Sequence, residues 1–268
     1  MTLAGARVLV TGASSGIGAA LAPMLAARGA TVGLVARRRD RLEQVLVECR
    51  RHAPASRMFV ADLADLERAE AVAREAWDAF DGLDVIVNNA AIAKRKRVTD
   101  LTPAEIAHVM DVNFHSPVRM GLVLLPRMRA RRSGMIVNVS STGGRLGIVH
   151  EAAYCAAKFA LCGWSEVMAI DLAESGVQVK LVLPGPIATE IWEPKDGDLP
   201  PVYQGPFVPA DECAAAIVAA IESPGFEHYV PATIPGGLEQ KTLVMGKTTD
   251  VDAFLAAMSD LARGSGQL

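Results

Sequence analysis

The sequence lacks the features of metal-binding and disulfide-linked proteins. It has four cysteines in 268 residues, with no C-x-x-C pair, and five histidines with no H-E-x-x-H arrangement. Structural metal sites and disulfide frameworks depend on such spacings, so we expect no metal site and four reduced thiols. Reduced cysteines are typical of the cytosol, and we therefore predict a cytoplasmic protein.

Long apolar runs and a strong charge imbalance are also missing. No uncharged apolar run approaches the roughly 18 residues of a membrane-spanning helix. The strand-like segment "ARVLVTG" follows so closely on Met1 that we expect no signal peptide. The net charge is −3, so we expect neither a membrane nor a nucleic-acid partner. The basic runs at 37–41 and 94–97 are by default solvated; a nucleic-acid binder that uses the second run is a weak alternative.

Short β-branched segments alternate with longer helical ones along the chain. Such alternation, with nearly continuous apolar strands, predicts an α/β fold of Rossmann type: a doubly wound parallel sheet with helices on both faces. The predicted strands are 7–11, 31–36, 57–62, 84–89, 134–140, 177–185 and 228–231. The predicted helices are 16–29, 39–52, 65–80, 103–131 with a break near Pro117, 151–175, 210–222 and 251–263.

No repeat or linker divides the sequence, so we predict a single domain over residues 1–268. Residues 190–268 are the expected substrate-binding loop and C-terminal region. Within it, the Pro/Gly-rich stretch 193–209 is long enough to be a lid. The side chains of Ile191, Trp192, Tyr203 and Phe207 either line an apolar pocket or pack the loop against the protein; both interpretations stay open.

The segment "TGASSGIG" at 11–18 follows the first strand and begins the first helix. Glycines there let the backbone pass close to a phosphate at the helix N-terminus. A plain tight turn is the alternative. The position between the first strand and the first helix of an alternating fold favours dinucleotide binding.

The end of the second strand indicates which dinucleotide binds. NAD-binding proteins usually carry an acidic residue near this point, which holds the ribose 2′-hydroxyl. Here Ala36 is followed by Arg37, Arg38 and Arg39. A guanidinium can bind a phosphate with two hydrogen bonds and stays charged. We therefore predict a preference for NADP(H), with NAD(H) as the second possibility; a merely solvated helix start is the alternative.

The helical segment "AAYCAAKFAL" places Tyr154 and Lys158 four residues apart, on one face. A half-buried tyrosine beside a snorkelling lysine is the ordinary interpretation. Alternatively, the ammonium lowers the pKa of the tyrosine and makes it an acid/base group. Ser141, at the end of the fifth strand, is a candidate donor to a substrate oxygen, although a capping serine is commoner.

Together these motifs resemble the short-chain dehydrogenase/reductase family over about residues 5–190. The matching segments are Thr11, Gly12, Gly16 and Gly18 for T-G-x-x-x-G-x-G, Tyr154 and Lys158 for Y-x-x-x-K, and Pro184, Gly185, Ile187 and Thr189 after the sixth strand. By spacing, the family's catalytic serine falls on Ser141 rather than Ser140, its helix asparagine on Asn113, and its nucleotide-side aspartate on Asp62.

The resemblance implies a role for each of four catalytic candidates. Tyr154 would exchange the proton at the carbonyl or alcohol oxygen, Ser141 would orient that oxygen, Lys158 would hold the nicotinamide ribose and depress the Tyr154 pKa, and Asn113 would position a relay water. The implied cofactor contacts are Gly12, Ser14, Ser15, Gly16, Ile17, Gly18, Arg37, Arg38, Asp62, Leu63, Asn89, Ala90, Tyr154, Lys158, Pro184, Gly185, Ile187 and Thr189.

Two positions depart from the family's pattern. The stretch N-N-A-G is Asn88, Asn89, Ala90 and Ala91 here, and alanine tolerates unusual backbone angles less well than glycine. Ser15 stands where some NADP-dependent members carry a basic residue, so the NADP(H) prediction depends on the arginines at 37–39. The resemblance implies Arg37 as the main basic residue, because it comes first after the second strand, with Ser14 and Arg38 beside it.

The leading hypothesis is an NADP(H)-dependent oxidoreductase that transfers hydride between the nicotinamide and a small carbonyl or alcohol substrate. A non-catalytic dinucleotide sensor or scaffold is the second hypothesis, although such a binder needs no serine–tyrosine–lysine set. An epimerase or dehydratase on the same fold is a third. The family commonly forms dimers or tetramers, so we expect a homo-oligomer that pairs the helices at 115–131 and 151–175.

Overall fold

The computed structural model describes residues 1–195, 197–234 and 237–264. Seven parallel strands form its central sheet in the order β3-β2-β1-β4-β5-β6-β7. The strands are β1 (Arg7–Thr11), β2 (Thr31–Ala36), β3 (Arg57–Val60), β4 (Val85–Asn88), β5 (Gly134–Val139), β6 (Val177–Pro184) and β7 (Glu227–Val230). β4 and β5 are buried along their whole length, because helices cover both faces of the sheet. The predicted doubly wound fold is confirmed.

The sheet is flanked by two helical layers. The helices are α1 (Gly16–Ala27), α2 (Arg39–Arg50), α3 (Leu66–Ala79), α4 (Pro103–Met110), α5 (Ser116–Ala130), α6 (Ala152–Asp171), α7 (Ala210–Glu222), α8 (Gln240–Thr249) and α9 (Val251–Gly264). Buried residues of α1, α2 and α7 form one apolar core with the sheet, and those of α3, α5 and α6 form the other.

The chain reverses its direction of winding between β1 and β4, which are neighbours in the sheet. The Thr11 Oγ1 atom at the end of β1 accepts hydrogen bonds from the backbone N–H groups of Asn89 (2.9 Å) and Ala90 (3.1 Å) after β4. Ligands of doubly wound sheets bind at such a switch point, outside the carboxyl ends of the strands.

The predicted helix 103–131 is two helices, interrupted a few residues before the break expected near Pro117, and the proline is not the cause of the interruption. A capping box between Thr102 and Glu105, with Pro103 in the first turn, begins α4. The interruption is a π-helical turn at Asp111–His115, and Pro117 lies in the first turn of α5, where a proline is well tolerated. Within the π turn, the side chain of Asn113 points toward the loop after β4, where it hydrogen-bonds Ile92.

The C-terminal region contains elements that the sequence did not predict. A short antiparallel pair, β8 (Thr233–Ile234) and β9 (Leu238–Glu239), leads into α8, which precedes the expected α9. The residues of 193–209 that the structure describes, 193–195 and 197–209, contain no helix, in line with the predicted loop, and Val208 bridges to Ile187. No helix in the described ranges is long and apolar enough to cross a membrane.

Candidate active site

A cavity of about 550 Å³ opens at the carboxyl ends of the strands, at the switch point. Nearly every candidate residue from the sequence lines it, from the glycine turn to Ser141, Tyr154 and Lys158. Of the implied catalytic residues and cofactor contacts, Gly18 and Asn113 are the two that do not. The cavity therefore joins the expected cofactor and catalytic residues in one continuous space.

The glycine turn is shaped by close backbone packing. Gly12 has a positive φ of 68°, and a Cβ there would lie 2.8 Å from the Cα of Ala90. At Gly18 a Cβ would lie 2.4 Å from the carbonyl oxygen of Gly12. Gly18 thus serves the packing of α1 against the turn rather than contact with a ligand, while Gly12 permits close approach of the loop after β4.

Arg38 is the arginine that reaches the glycine turn. Its guanidinium donates to the hydroxyl of Ser15 (2.6 Å) and to that of Ser14 (3.3 Å). It also forms an ion pair of 2.7 Å with Glu190, which binds Arg41 as well. Two hydroxyls and a guanidinium thus converge at the edge of the cavity, which suits a phosphate group.

Arg37 lies on the other side of this edge and is more exposed. Its guanidinium is 3.6 Å from the carboxylate of Asp62, and 57% of its side-chain surface is accessible. The Asp62 carboxylate also accepts a hydrogen bond from the backbone N–H of Ala64 (3.0 Å). Arg39 begins α2 and is not among the residues that line the cavity.

Ser141, Tyr154 and Lys158 meet at the centre of the cavity. Ser141 follows β5, and its hydroxyl accepts a hydrogen bond from the N–H of Gly143 (3.0 Å). The Lys158 ammonium donates to the carbonyl of Val139 (2.9 Å) and lies 5.7 Å from the centre of the Tyr154 ring. The neighbouring Ser140 also lines the cavity, but its hydroxyl is engaged, since it donates to the carbonyl of Lys158 (3.1 Å).

The acid/base properties of this group are dominated by burial. Burial raises the pKa of Tyr154 above its ordinary value, while a hydrogen bond with Ser141 lowers it by less. Burial lowers the pKa of Lys158 to about 8. The expected lowering of the Tyr154 pKa by Lys158 is therefore not found in the protein alone: burial dominates the shift, and the groups that lower the pKa are Ser141 and Arg95. Tyr154 is protonated at neutral pH.

The depressed Lys158 pKa makes stability depend on pH in a defined direction. Between pH 8 and the ordinary lysine pKa of 10.5, the unfolded chain holds a proton that the folded chain has lost, so folding becomes more favourable as the pH rises. We expect the unfolding free energy of the wild type to rise by about 2 kcal/mol, relative to Lys158→Met, between pH 7 and pH 10. Urea unfolding of both proteins measures this, and a constant difference would contradict the assignment.

Asn113 is buried in the π turn and holds the loop after β4 through two hydrogen bonds. Its Oδ1 accepts from the N–H of Ile92 (2.9 Å), and its Nδ2 donates to the carbonyl of the same residue (2.8 Å). Both side-chain groups are thus engaged outside the cavity. Asn113 is a positioning residue in this structure, rather than a group that contacts a reacting atom.

The segment after β6 completes the cavity wall. Pro184, Gly185, Ile187 and Thr189 all line it, and the Thr189 methyl packs against Gly16 so closely that a Cβ there would lie 2.9 Å away. The alanine at position 91 causes no strain, because its φ is not positive. The departure from N-N-A-G therefore leaves the loop geometry intact.

Comparison with known proteins gives the same assignment as the geometry. The family model for short chain dehydrogenases matches residues 6–199. The 3-oxoacyl-(acyl-carrier-protein) reductase FabG of Vibrio cholerae is 34% identical over 87% of this chain and 96% of its own length. The chain belongs to the short-chain dehydrogenase/reductase family. The prediction of an NAD(P)-dependent oxidoreductase is confirmed at this level, and the alternative of a non-catalytic dinucleotide protein is not favoured.

Solved structures of short-chain dehydrogenases share the fold over nearly the whole chain. One from Streptomyces avermitilis is 29% identical, with a TM-score of 0.80, and the match covers 98% of this chain and 99% of that one. One from Burkholderia cenocepacia, in complex with NADP, is 26% identical, with a TM-score of 0.79, and the match covers 96% and 99%.

The substrate end of this dehydrogenase is walled by apolar side chains. Ile191, Trp192 and Tyr203 line the cavity, and Trp192 also packs against Phe207 with ring centroids 5.0 Å apart. The pocket interpretation of the loop thus applies to Ile191, Trp192 and Tyr203, and the packing interpretation applies to Phe207. Further apolar lining comes from the C-terminal helices, at Leu243, Phe254, Met258 and Leu261. Sequence reasoning missed these because nothing local predicted that α8 and α9 cover the site.

Two charged residues that the sequence analysis did not select are buried in this wall. Arg95, from the basic run at 94–97, is 3% exposed, and Glu151, directly before α6, is 5% exposed. The Arg95 Nε atom lies 2.6 Å from a carboxylate oxygen of Glu151. The run was predicted to be solvated, and for Arg95 this is wrong. The sequence could have indicated Glu151 as a site residue, because it lies three residues before Tyr154 and so on the same side of the chain at the start of the helix.

Proposed function

We propose that this member of the family reduces carbonyl compounds or oxidises alcohols with NADP(H) as the preferred cofactor and NAD(H) as a poorer one. The observation that carries the proposal is the position of Arg38. Its guanidinium reaches both serines of the glycine turn in the cavity that also holds Ser141 and Tyr154.

The chain's residues suit the dinucleotide at three points. The close packing at Gly12 and Gly18 leaves the turn's backbone open to a pyrophosphate. Arg38 and Ser14 supply donors for a ribose 2′-phosphate, with Arg37 beside them. The Burkholderia cenocepacia neighbour in complex with NADP supports the same choice of cofactor.

The role of each catalytic residue follows from whether it carries a proton that it can donate. NADP(H) supplies a hydride in reduction or accepts one in oxidation when bound. Tyr154, which burial keeps protonated, donates its hydroxyl proton to the carbonyl oxygen. Ser141 orients that oxygen, and the Lys158 ammonium stabilises the developing phenolate.

Turnover with a panel of ketones tests this proposal. The purified protein is mixed with NADPH or NADH and each ketone, and loss of the reduced cofactor is followed by absorbance. We expect ketone-dependent oxidation that is faster with NADPH at low cofactor concentration. Tight NADPH binding without oxidation of NADPH by any ketone, or of any alcohol with NADP⁺, would overturn the catalytic assignment.

We further propose that α5 and α6 pair with a second copy of the chain to form a homodimer or homotetramer. Leu122 of α5 is 50% exposed, and Val167 and Ile170 of α6 are 56% and 74% exposed. Val167 and Ile170 lie on one face of their helix because they are three residues apart. This apolar face is the surface that a partner copy would cover.

Ile170→Glu should weaken that association. A charge at the centre of an apolar interface costs several kcal/mol when it is buried, so we expect the molar mass in light scattering to fall to that of a smaller assembly. Val47→Glu is the matched control, since Val47 is 57% exposed on α2. Equal masses for wild type, control and Ile170→Glu would contradict the proposed interface.

Residues 1–268 are proposed to form one domain, with 190–268 as the substrate-binding part. The apolar lining from α8 and α9 supports that division. The protein is proposed to be cytoplasmic, which its four unpaired, buried cysteines support. The proposed partner is a small carbonyl or alcohol compound, and the prediction that no metal is needed stays a prediction.

A further inference from the structure

The ion pair of Arg95 and Glu151 is an unusual feature of an apolar substrate wall. Both residues line the cavity beside Tyr154, and each has less than a tenth of its surface exposed. Glu151 is three residues before Tyr154, so the two side chains project on the same side at the start of α6. Both charges also act on the Tyr154 hydroxyl, since Glu151 raises its pKa and Arg95 lowers it.

Both partners of the pair keep polar atoms without a hydrogen bond. The Arg95 Nη2 atom donates to the carbonyl of Ile191 (2.7 Å), and Nε lies 2.6 Å from Glu151 Oε1 in the ion pair. The Nε and Nη1 atoms of Arg95 and the second carboxylate oxygen of Glu151, Oε2, are buried and find no hydrogen-bond partner among the residues that the structure describes. A buried donor or acceptor that stays unpaired is destabilising. A ligand that satisfies Nη1 and Oε2 would recover that cost.

The charge around the pair is balanced. Glu151 faces Arg95, and the nearby Asp198 forms an ion pair of 2.8 Å with Lys94. Within these two ion pairs two carboxylates oppose two cations, so the pair of Arg95 and Glu151 itself offers no surplus positive charge to a substrate carboxylate. Apart from Arg95 Nε, which faces Glu151 in the ion pair, the unmet groups are one donor and one acceptor. A hydroxyl satisfies these two together by accepting from the guanidinium and donating to the carboxylate.

We propose that Arg95 and Glu151 select a carbonyl substrate that carries a second, uncharged hydroxyl group on an otherwise apolar skeleton. In the oxidising direction the substrate is the corresponding diol. The carbonyl lies at Tyr154 and Ser141, and the second hydroxyl bonds Arg95 Nη1 and Glu151 Oε2. This inference rests on the proposed function for its reaction, but the recognition itself can be measured by binding.

Three kinds of ring compound with the same skeleton test the selection. Cyclohexanone has no second group, the 2-, 3- and 4-hydroxycyclohexanones carry a hydroxyl at increasing distance, and the 3- and 4-oxocyclohexanecarboxylates carry a charge. With NADPH, we expect kcat/KM for at least one hydroxycyclohexanone to exceed that for cyclohexanone by about tenfold or more, because a polar site rejects an analogue that leaves it unpaired. Equal values, or a preference for the carboxylates, would overturn the proposal.

Glu151→Gln tests the charge argument, because it removes the negative charge of the pair. The variant leaves Arg95 without an anionic partner, so we expect the preference for the hydroxyl to fall at least severalfold and the carboxylates to gain over cyclohexanone. Lys94→Met is the matched control, since it breaks the ion pair with Asp198 beside the same loop without removing either member of the selecting pair. An equal effect of both variants would mean that Glu151 acts only by holding the loop.

A binding measurement separates this inference from the proposed reaction. The Trp192 ring lies 5.3 Å from the Arg95 guanidinium in the cavity wall, so its fluorescence reports occupancy of the wall. The complex with NADP⁺ is titrated with each ring compound, and Trp192→Phe identifies the signal. Tighter binding of a hydroxycyclohexanone than of cyclohexanone supports the selection even if nothing is reduced. Equal or undetectable binding of all compounds overturns it.

Discussion

Tyr154→Phe should lower kcat with NADPH and a ketone substrate by about 100- to 10,000-fold, the usual range for loss of a general acid. The substitution removes only the hydroxyl that burial keeps protonated. The ring remains to pack in the first turn of α6 and beside the Lys158 ammonium. The affinity for NADPH and the melting temperature should therefore stay near the wild-type values.

Tyr203→Phe is the matched control for this prediction. Tyr203 lines the same cavity, but its hydroxyl donates to the carbonyl of Pro206 (2.9 Å) and lies in the substrate loop. We expect its loss to change kcat only slightly. Turnover near the wild-type rate in folded Tyr154→Phe would show that another group supplies the proton.

Arg38→Ala should weaken NADPH binding by about 10- to 150-fold and NADH binding much less. A hydrogen bond to a charged group contributes about 1.5–3 kcal/mol, and 1.4 kcal/mol corresponds to a tenfold change in Kd. Only NADPH carries the 2′-phosphate that this guanidinium would bind. Calorimetric titration with both cofactors measures the two changes.

Arg37→Ala and Arg39→Ala test the same argument at the two neighbouring arginines, of which only Arg37 lines the cavity. Arg37 is more exposed and is paired with Asp62, so we expect a smaller effect on NADPH. Arg39 is outside the cavity lining, and its loss should leave both affinities unchanged. Equal loss of NADPH and NADH affinity in Arg38→Ala would mean that the residue supports the glycine turn and not the phosphate.

Much of the fold was predictable from local pattern. The apolar runs and the helical segments between them predicted all seven strands of the central sheet within about two residues, because a parallel strand buried on both faces must be almost wholly apolar. The break in the helix at 103–131 was misplaced. Pro117 was the obvious local cause, whereas the π turn at Asp111–His115 is held by contacts of Asn113 with Ile92, far away in sequence.

The candidate site was predictable where a motif dictates geometry. The glycine turn, Ser141, Tyr154 and Lys158 line one cavity, since the carboxyl ends of parallel strands bring them to one edge. The sequence analysis placed Arg37 first and Arg38 beside it, whereas Arg38 is the arginine that reaches the turn. Which of the two does so depends on the direction of their side chains after β2.

The burial of Arg95 and Glu151 could not be predicted from local sequence patterns. Arg95 stands in a run of four basic residues, and such runs are usually solvated. It is buried because the loop after Thr189 folds back over it, with the carbonyl of Ile191 accepting its hydrogen bond. Burial of that kind is a tertiary property, and no local periodicity encodes it.

Calorimetric titration of the wild-type protein with NADPH and with NADH tests the central claim most directly. The account predicts that both bind one site and that NADPH binds at least about tenfold more tightly, with the difference shrinking as salt screens the phosphate contacts. Equal affinities would contradict the phosphate site at Arg38. Absence of binding by either cofactor would contradict the assignment of the cavity to a dinucleotide, and with it the proposed reaction.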